Sequence, residues 1–243
     1  MSKRKRQNQQ KKKRKKRKKK MSKQSRGDKG EALVKECLEN IAGYHKIIND
    51  FTYWNNKSEM SHQIDHIFIN SHGVFVIETK AYFGKIIADT NDSFWIKEIR
   101  GEKIKISNPL KQNKSHMYIV SRLLKGKYDV IPVVVFAKDN APYLDDNVIN
   151  LSDLPLFIDS YPYKKKISDK EIDSIYRIIN RHQSDISKEE HVENISYLKK
   201  IKKEIKDEIA YAIENNKCPR CGHLILHRNY SFFCSQCDFK FKL

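Results

Sequence analysis

Gln63–Lys80 reads QIDHIFINSHGVFVIETK, two runs rich in Ile, Val and Phe joined by Asn70-Ser71-His72-Gly73. Asn, Ser and Gly are turn-forming residues, and β-branched or aromatic runs on both sides of such a turn predict a β-hairpin. Alternate residues of a strand share a face. Val74, Val76, Glu78 and Lys80 therefore lie together on one strand, and Asp65, Ile67 and Ile69 on its partner. A register centred on the turn pairs Ile69 with Val74 and places Asp65 opposite Glu78. Two carboxylates facing each other across a sheet repel. A divalent cation would offset that repulsion, because hard cations take oxygen ligands. Lys80 stands two residues further along the same face, and acid, acid and lysine around a cation is a set suited to phosphodiester hydrolysis.

The formal charge of +19 suggests a nucleic-acid binder until it is located: sixteen of the positive charges lie in residues 1–26, which hold no acid, so the rest of the chain carries only +3. Such a stretch cannot bury apolar surface, and residues 1–25 are expected to be a disordered polybasic tail. The tail would add salt-sensitive, sequence-blind attraction to phosphate backbones, although anionic lipid or an import receptor could also read it. It has no apolar h-region, and no run is long enough to span a bilayer, so neither secretion nor membrane insertion is expected. Four of the five cysteines fall at metal-ligand spacing near the C-terminus. That leaves Cys37 alone, which argues for a reducing compartment, and the expected location is cytoplasmic.

Glu31 opens an amphipathic segment in which Ala32, Leu33, Cys37, Leu38 and Ile41 recur at helical spacing. A glutamate in a first turn also complements the helix dipole, whatever else it does. Ile47–Trp54 reads as a strand before the hairpin. Gly84–Ala88, Ser93–Ile96 and Lys103–Ile106 read as short strands after it. Asn108-Pro109 is an N-cap followed by proline at the first helical position, and Gln112, His116, Ile119, Val120, Leu123 and Leu124 follow at helical spacing. Val130–Ala137 is a continuous apolar run of buried-strand length. Ser168-x-x-Glu171 and Ser187-x-x-Glu190 each have the form of a capping box, the second ahead of a long helix with Ile195, Leu198, Ile201, Ile205, Ile209 and Ile213 on one side.

Asp65 followed by Glu78-Thr79-Lys80 on a hairpin resembles the PD-(D/E)xK nuclease superfamily. The order of GDKGE at 27–31, QIDHIFI at 63–69, GVFVIETK at 73–80, Gly84, Trp95, and NPLKQ at 108–112 before HMYIV resembles one branch of it, the nuclease-related (NERD) domain. The resemblance covers Gly27 to about Ser152, with neither acid nor the lysine replaced. It implies a restriction-endonuclease-like α/β core, a mixed central sheet flanked by helices. It also implies a metal-dependent nuclease in which Asp65 and Glu78 ligate Mg2+ or Mn2+, with the Thr79 carbonyl a further ligand. Lys80 would activate or hold the attacking water and stabilise the transition state. Glu31 corresponds to an accessory helix acid reaching the metal through water, and Gln112 to a helix glutamine that orients water or phosphate. His66 and His116 are read as structural.

Cys218-x-x-Cys221 and Cys234-x-x-Cys237 form two knuckles separated by short apolar strands. Four thiolates at this spacing close a tetrahedral Zn2+ site and leave no open position for catalysis. The module resembles the four-cysteine zinc ribbon of bacterial type I topoisomerases. Most of Tyr230, Phe232, Phe233, Phe239 and Phe241 are needed as core in so small a domain. One or two exposed rings, with Arg220, Arg228 and Lys240, would be free to stack on single-stranded bases. The expected organisation is a tail over 1–25, a nuclease-like domain over 26–158, a helical linker over 159–216 and a zinc ribbon over 217–243. The expected activity is metal-dependent hydrolysis of phosphodiester bonds by an endonuclease or related repair-type nuclease, DNA ahead of RNA. The alternatives are a non-catalytic nucleic-acid-binding protein that retains the fold, and an RNA-processing nuclease.

Overall fold

The computed structural model describes residues 26–144, 147–163 and 165–242; the basic stretch 1–25, with its expected disorder, lies outside them. After helix α1 over residues 26–39 come strands β1 (Lys46–Asn55), β2 (Met60–Asn70) and β3 (Gly73–Lys80). A small antiparallel sheet follows, of β4 (Lys85–Ile87), β5 (Phe94–Ile99) and β6 (Glu102–Ser107). Then come α2 (Pro109–Leu123), β7 (Val130–Phe136), β8 (Val148–Asn150), α3 (Leu154–Ser160) and α4 (Asp169–Asn180).

The hairpin is the middle of a five-stranded mixed sheet of order β1-β2-β3-β7-β8. β2 and β3 are antiparallel with Ile69 opposite Val74 and His66 opposite Ile77, the register that a turn at 70–73 dictates. β3 and β7 run parallel, as do β7 and β8. Both faces of the sheet are covered, which is why β3 and β7 are apolar almost throughout rather than alternating. On one face Ile67, Ile69, Val74 and Val76 pack with Val120 of α2 and with Ile172, Ile175 and Ile179 of α4. On the other, Phe68, Phe75, Ile77, Val133 and Val135 pack with Val34 and Leu38 of α1 and with Leu154 and Ile158 of α3. Each fully buried side chain of this size contributes about 1.5–3 kcal/mol. The result is the mixed α/β architecture expected, a central sheet between helices.

The chain separates into two compact units, one running to Tyr53 and resuming over His62–Asp185, the other made of Trp54–Ser61 and the chain from Ile186 on. α4 falls in the stretch expected to be a linker, yet its three isoleucines are fully buried in the first unit's core. They recur at i, i+3 and i+7, a stripe that needs a partner surface.

In the second unit α5 (Lys188–Asn215) is followed by an antiparallel ribbon of β9 (Ile225–Arg228), β10 (Ser231–Cys234) and β11 (Lys240–Lys242). Ser187 caps α5 by accepting from Glu190 N–H while Glu190 accepts from Ser187 N–H at 2.8 Å. Near that end Ser61 N–H donates to Asn194 Oδ1 at 3.0 Å, and Asn194 Nδ2 donates to the Glu59 carbonyl. At the other end Ile209 and Ala212 pack with Ile225, Phe239 and Phe241. Among the described residues no helix is long and apolar enough to cross a membrane.

Candidate active site and metal centre

The end of the hairpin far from its turn gathers the charges. Glu78 is only 3 % exposed, and one of its oxygens, Oε1, takes a hydrogen bond from Lys80 Nζ. Asp65, on the neighbouring strand, accepts the Thr79 backbone N–H on Oδ2 at 2.7 Å. That bond fixes the Asp65 carboxylate against the strand that carries Glu78 and Lys80. Burial pushes the Asp65 carboxyl well above the usual carboxylate range. The neighbouring Glu78 charge adds to this, Lys80 opposes it, Glu31 raises it further, and the Thr79 N–H pulls it back. Burial alone would lower the Lys80 pKa, but the Glu78 carboxylate, with Tyr82 and Asp65 behind it, outweighs burial and holds it above its ordinary value. Lys80 is therefore a cation at any working pH, enclosed among acids.

Glu31 reaches this group because α1 approaches the sheet closely. A Cβ at Gly30 would stand 2.8 Å from Ala81 Cβ and 3.5 Å from both Ala137 Cβ and Thr79 Cγ2, so only glycine lets the helix start rest on the ends of β3 and β7. This contact also sets the helix phase. The buried row is Gly30, Val34, Leu38 and Ile41, and Ala32 and Leu33, expected on the stripe, are exposed. Gly30→Ala gains about 1 kcal/mol of helix propensity, but overpacking a tight contact costs about 1–3 kcal/mol. The variant is expected to melt below the wild type, and Ala81→Gly, which removes the atom it meets, to restore the loss. Thermal denaturation of the two variants and their combination checks this.

α2 brings a different set of residues to the site from those its spacing suggested. Asn108 caps it, accepting from Leu110 N–H at 2.9 Å, and ties it to the loop before β5 through Nδ2 and the Asp92 carbonyl at 2.7 Å. Gln112 is exposed, and its side chain makes no hydrogen bond among the described residues. Asn113 is the buried residue instead: its Nδ2 donates to the carbonyls of Val76 on β3 and Val133 on β7, each at 2.9 Å. One turn on, His116 is 5 % exposed with Nδ1 3.5 Å from Glu78 Oε2, and the His62 ring stands edge-on to it at 6.3 Å between centroids. His66, by contrast, is held away from the acids by Asn49 Oδ1, 2.7 Å from its Nδ1. Sequence reasoning missed His116 as a neighbour of Glu78. The available signal was a pair of polar residues, Asn113 and His116, at i and i+3 on a face that continues into Val120.

Comparison with known proteins bears on this unit. Residues 26–137 match the nuclease-related domain family, NERD. The matched span contains Glu31, Asp65, Glu78, Lys80 and Gln112, and a nuclease-related function is what the match implies. The chain is also 29% identical over 163 residues to an uncharacterized protein of Bacillus anthracis, across 64% of this chain and 76% of that one. No solved structure matches.

The cysteines lie beyond the nuclease-related domain match. Cys218, Cys221, Cys234 and Cys237 have their sulfurs within 4.8 Å of one another; Cys218 and Cys237 are 3.5 Å apart, Cys221 and Cys234 3.3 Å. Arg220 N–H donates to Cys218 Sγ and Gln236 N–H to Cys234 Sγ, so each knuckle turns its amides toward the sulfurs. Gly222, at φ 75°, turns the first knuckle so that its N–H meets the Cys218 carbonyl at 2.9 Å. The set can hold a metal ion such as zinc and form a zinc ribbon. Among the described residues no other group of three or more His, Cys, Asp or Glu side chains brings its donor atoms so close, so Glu31, Asp65 and Glu78 are more widely spread. Of the ribbon's rings Phe239 and Phe241 are buried and Phe232 packs against them, while Tyr230 and Phe233 are exposed. Arg220 is engaged by Glu208 and Asp238 and lies over the Phe239 ring. Arg228 and Lys240 pair across the ribbon with Ser231 and Phe233.

Proposed function

We propose that this chain is a metal-dependent, cytoplasmic nuclease that hydrolyses phosphodiester bonds, in DNA ahead of RNA. The observation that carries the reading is the convergence of Asp65, Glu78 and Lys80 on adjacent strands, with Asp65's carboxyl raised first by burial and then by its acidic neighbours. A surface ion pair would be solvated and would not force acids together in a buried place. The donor set suits a hard cation: carboxylate oxygens, one of which, Glu78 Oε2, is buried without a hydrogen bond. Asp65 and Glu78 would hold Mg2+ or Mn2+, and Glu31, standing further off, would act through water. When bound, such an ion lowers the pKa of a coordinated water and neutralises phosphate charge.

The chain's own residues supply the rest. Lys80, permanently protonated, offers its ammonium to the charge that develops on the phosphate oxygens. The Thr79 N–H, by occupying Oδ2 of Asp65, leaves Oδ1 for the cation. Gln112, exposed beside the buried Asn113, would meet substrate or water. The ribbon, whose four cysteines would hold zinc, presents Tyr230 and Phe233 with Arg228 and Lys240 toward solvent, a combination that suits stacking and backbone contact with nucleic acid. Residues 1–25 would add charge-driven affinity.

The test is cleavage of labelled single- and double-stranded DNA and RNA with Mg2+, Mn2+ or EDTA, beside Glu78→Ala. Metal-dependent cutting that disappears in the variant is the expected result. Binding without cutting by either protein would replace this reading with that of a nucleic-acid-binding module.

A further inference from the structure

We propose that His116 is a positioning residue for Glu78, holding its Oε2 so that the carboxylate stands oriented for a divalent cation. The inference rests on the nuclease reading and on a contact which that reading does not use. Glu78 is gripped on one oxygen by Lys80, from its own strand. Its other oxygen, Oε2, is buried and faces His116 Nδ1 at 3.5 Å, from α2. The two side chains are 4 % and 6 % exposed, so water does not share the contact freely. At that separation a small approach of the ring makes a hydrogen bond, and the rest of the structure fixes where the ring sits.

Three contacts do so. Asn108 pins the start of α2. Asn113 spans β3 and β7 by donating to Val76 and Val133, and Val76 is the residue two before Glu78 on the same strand face. His62, three residues before Asp65 on β2, packs edge-on against the His116 ring. α2 is thus locked to the strand bearing Glu78 one turn before His116, and the imidazole arrives at the one carboxylate oxygen that Lys80 leaves. A histidine buried only for packing has no need of this address. Carboxylates that ligate metals are commonly held by outer hydrogen bonds, and removing such a partner weakens metal affinity about 10–100-fold.

The experiment is calorimetric titration of the full-length, zinc-loaded protein with Mn2+, comparing wild type, His116→Leu, His116→Asn and Glu78→Ala. Leu fills the space without a donor, while Asn keeps an amide N–H close to the position of Nδ1. The expected result is Mn2+ affinity about 10–100-fold weaker in His116→Leu, and within about threefold of wild type in His116→Asn. A thermal melt in EDTA is expected to leave His116→Leu at or near the wild-type transition, so the loss is not one of folding. In the same variants the Mn2+ concentration for half-maximal cleavage should rise with Leu and recover with Asn, with the rate at saturating Mn2+ much less affected. Affinity in His116→Leu equal to wild type, with Glu78→Ala abolishing binding, overturns the role of His116 alone. Wild-type protein that takes up no Mn2+ overturns the nuclease reading and this one with it.

Discussion

Asp65→Asn is expected to abolish phosphodiester cleavage and, in the same protein, to raise the melting temperature measured in EDTA. Both effects follow from one arrangement. The carboxylate is pressed by burial, by Glu78 and by Glu31, with only Lys80 and the Thr79 N–H to relieve it. An asparagine keeps the acceptor for Thr79 and removes the charge, so the fold loses a repulsion and no hydrogen bond. A gain of roughly 1 kcal/mol corresponds to about 2–4 °C in a chain of this size. The chemistry moves the other way, since losing a carboxylate proposed to hold the metal would remove several kcal/mol of charge stabilisation and lower the rate by about a thousandfold or more. The pH dependence has a definite sign. The folded carboxyl lies above its ordinary value of 3.8, so as pH falls through the raised value the native state takes up a proton that the unfolded chain does not. Asp65 thus contributes growing stability down to the unfolded value, and the Asn variant lacks that slope. Mn2+ should raise the wild-type melting temperature by mass action and leave the variant's unchanged. A variant that melts below wild type in EDTA would show that Asp65 is not strained, and the case for a cation between the acids would fall with it.

The parts of this site that were legible in the sequence are those that local rules determine. A turn at Asn70–Gly73 and a period of two fix the pairing of Ile69 with Val74, and with it the meeting of Asp65 and the Glu78 strand. Asn108-Pro109 marks the start of α2, and both capping boxes mark helices, because the groups involved lie within three residues of each other. Helix phase was not legible to the same degree. Gln112, His116, Ile119 and Leu123 fit a helical stripe as well as Asn113, His116 and Val120 do. The choice between them is made by the carbonyls of Val76 and Val133, which lie 37 and 20 residues away from Asn113 in sequence. The same holds for α1, where the close approach of Gly30 to Ala81 and Ala137 rotates the buried row away from Ala32 and Leu33. α4 looks like linker because its neighbours are polar, and its three buried isoleucines find their partners only in the folded sheet. His116 was invisible as a partner of Glu78 for the same reason: the acid, at 4 % side-chain exposure, comes from a strand that the helix meets only in three dimensions.

Removing metal from the cysteine cluster is expected to unfold the ribbon outright. The four sulfurs already stand near the edge length of about 3.8 Å that a tetrahedron with ~2.3 Å metal–sulfur bonds requires, with three cross-knuckle pairs at 3.5, 3.3 and 3.7 Å. Two of those sulfurs also take backbone N–H bonds, and at Cys234, against its burial, the Gln236 N–H with neighbouring donors pulls the thiol down to about 6, toward the thiolate that a metal needs. Against this, the apolar support is small: Ile225, Phe239 and Phe241 around Ala212, with Phe232 and Ile209 beside them. A core of that size cannot offset the ordering of some twenty-five residues, so the ion's own binding, about 10–16 kcal/mol in comparable small sites, must carry the fold. Purified protein should therefore contain one zinc per chain. A strong chelator, or Cys221→Ser, should collapse the amide spectrum of residues 217–242 and weaken binding to single-stranded nucleic acid. Cleavage at saturating substrate should persist, because no cysteine takes part in the chemistry proposed for Asp65, Glu78 and Lys80. The spacing also permits a different use, since each C-x-x-C could cycle as a dithiol. The two uses part in one experiment: a redox pair leaves the ribbon folded without zinc, whereas a structural site unfolds when the metal is removed. A zinc-free protein whose ribbon spectrum is unchanged in Cys221→Ser would reject the structural site, and with it the reason for four cysteines to converge.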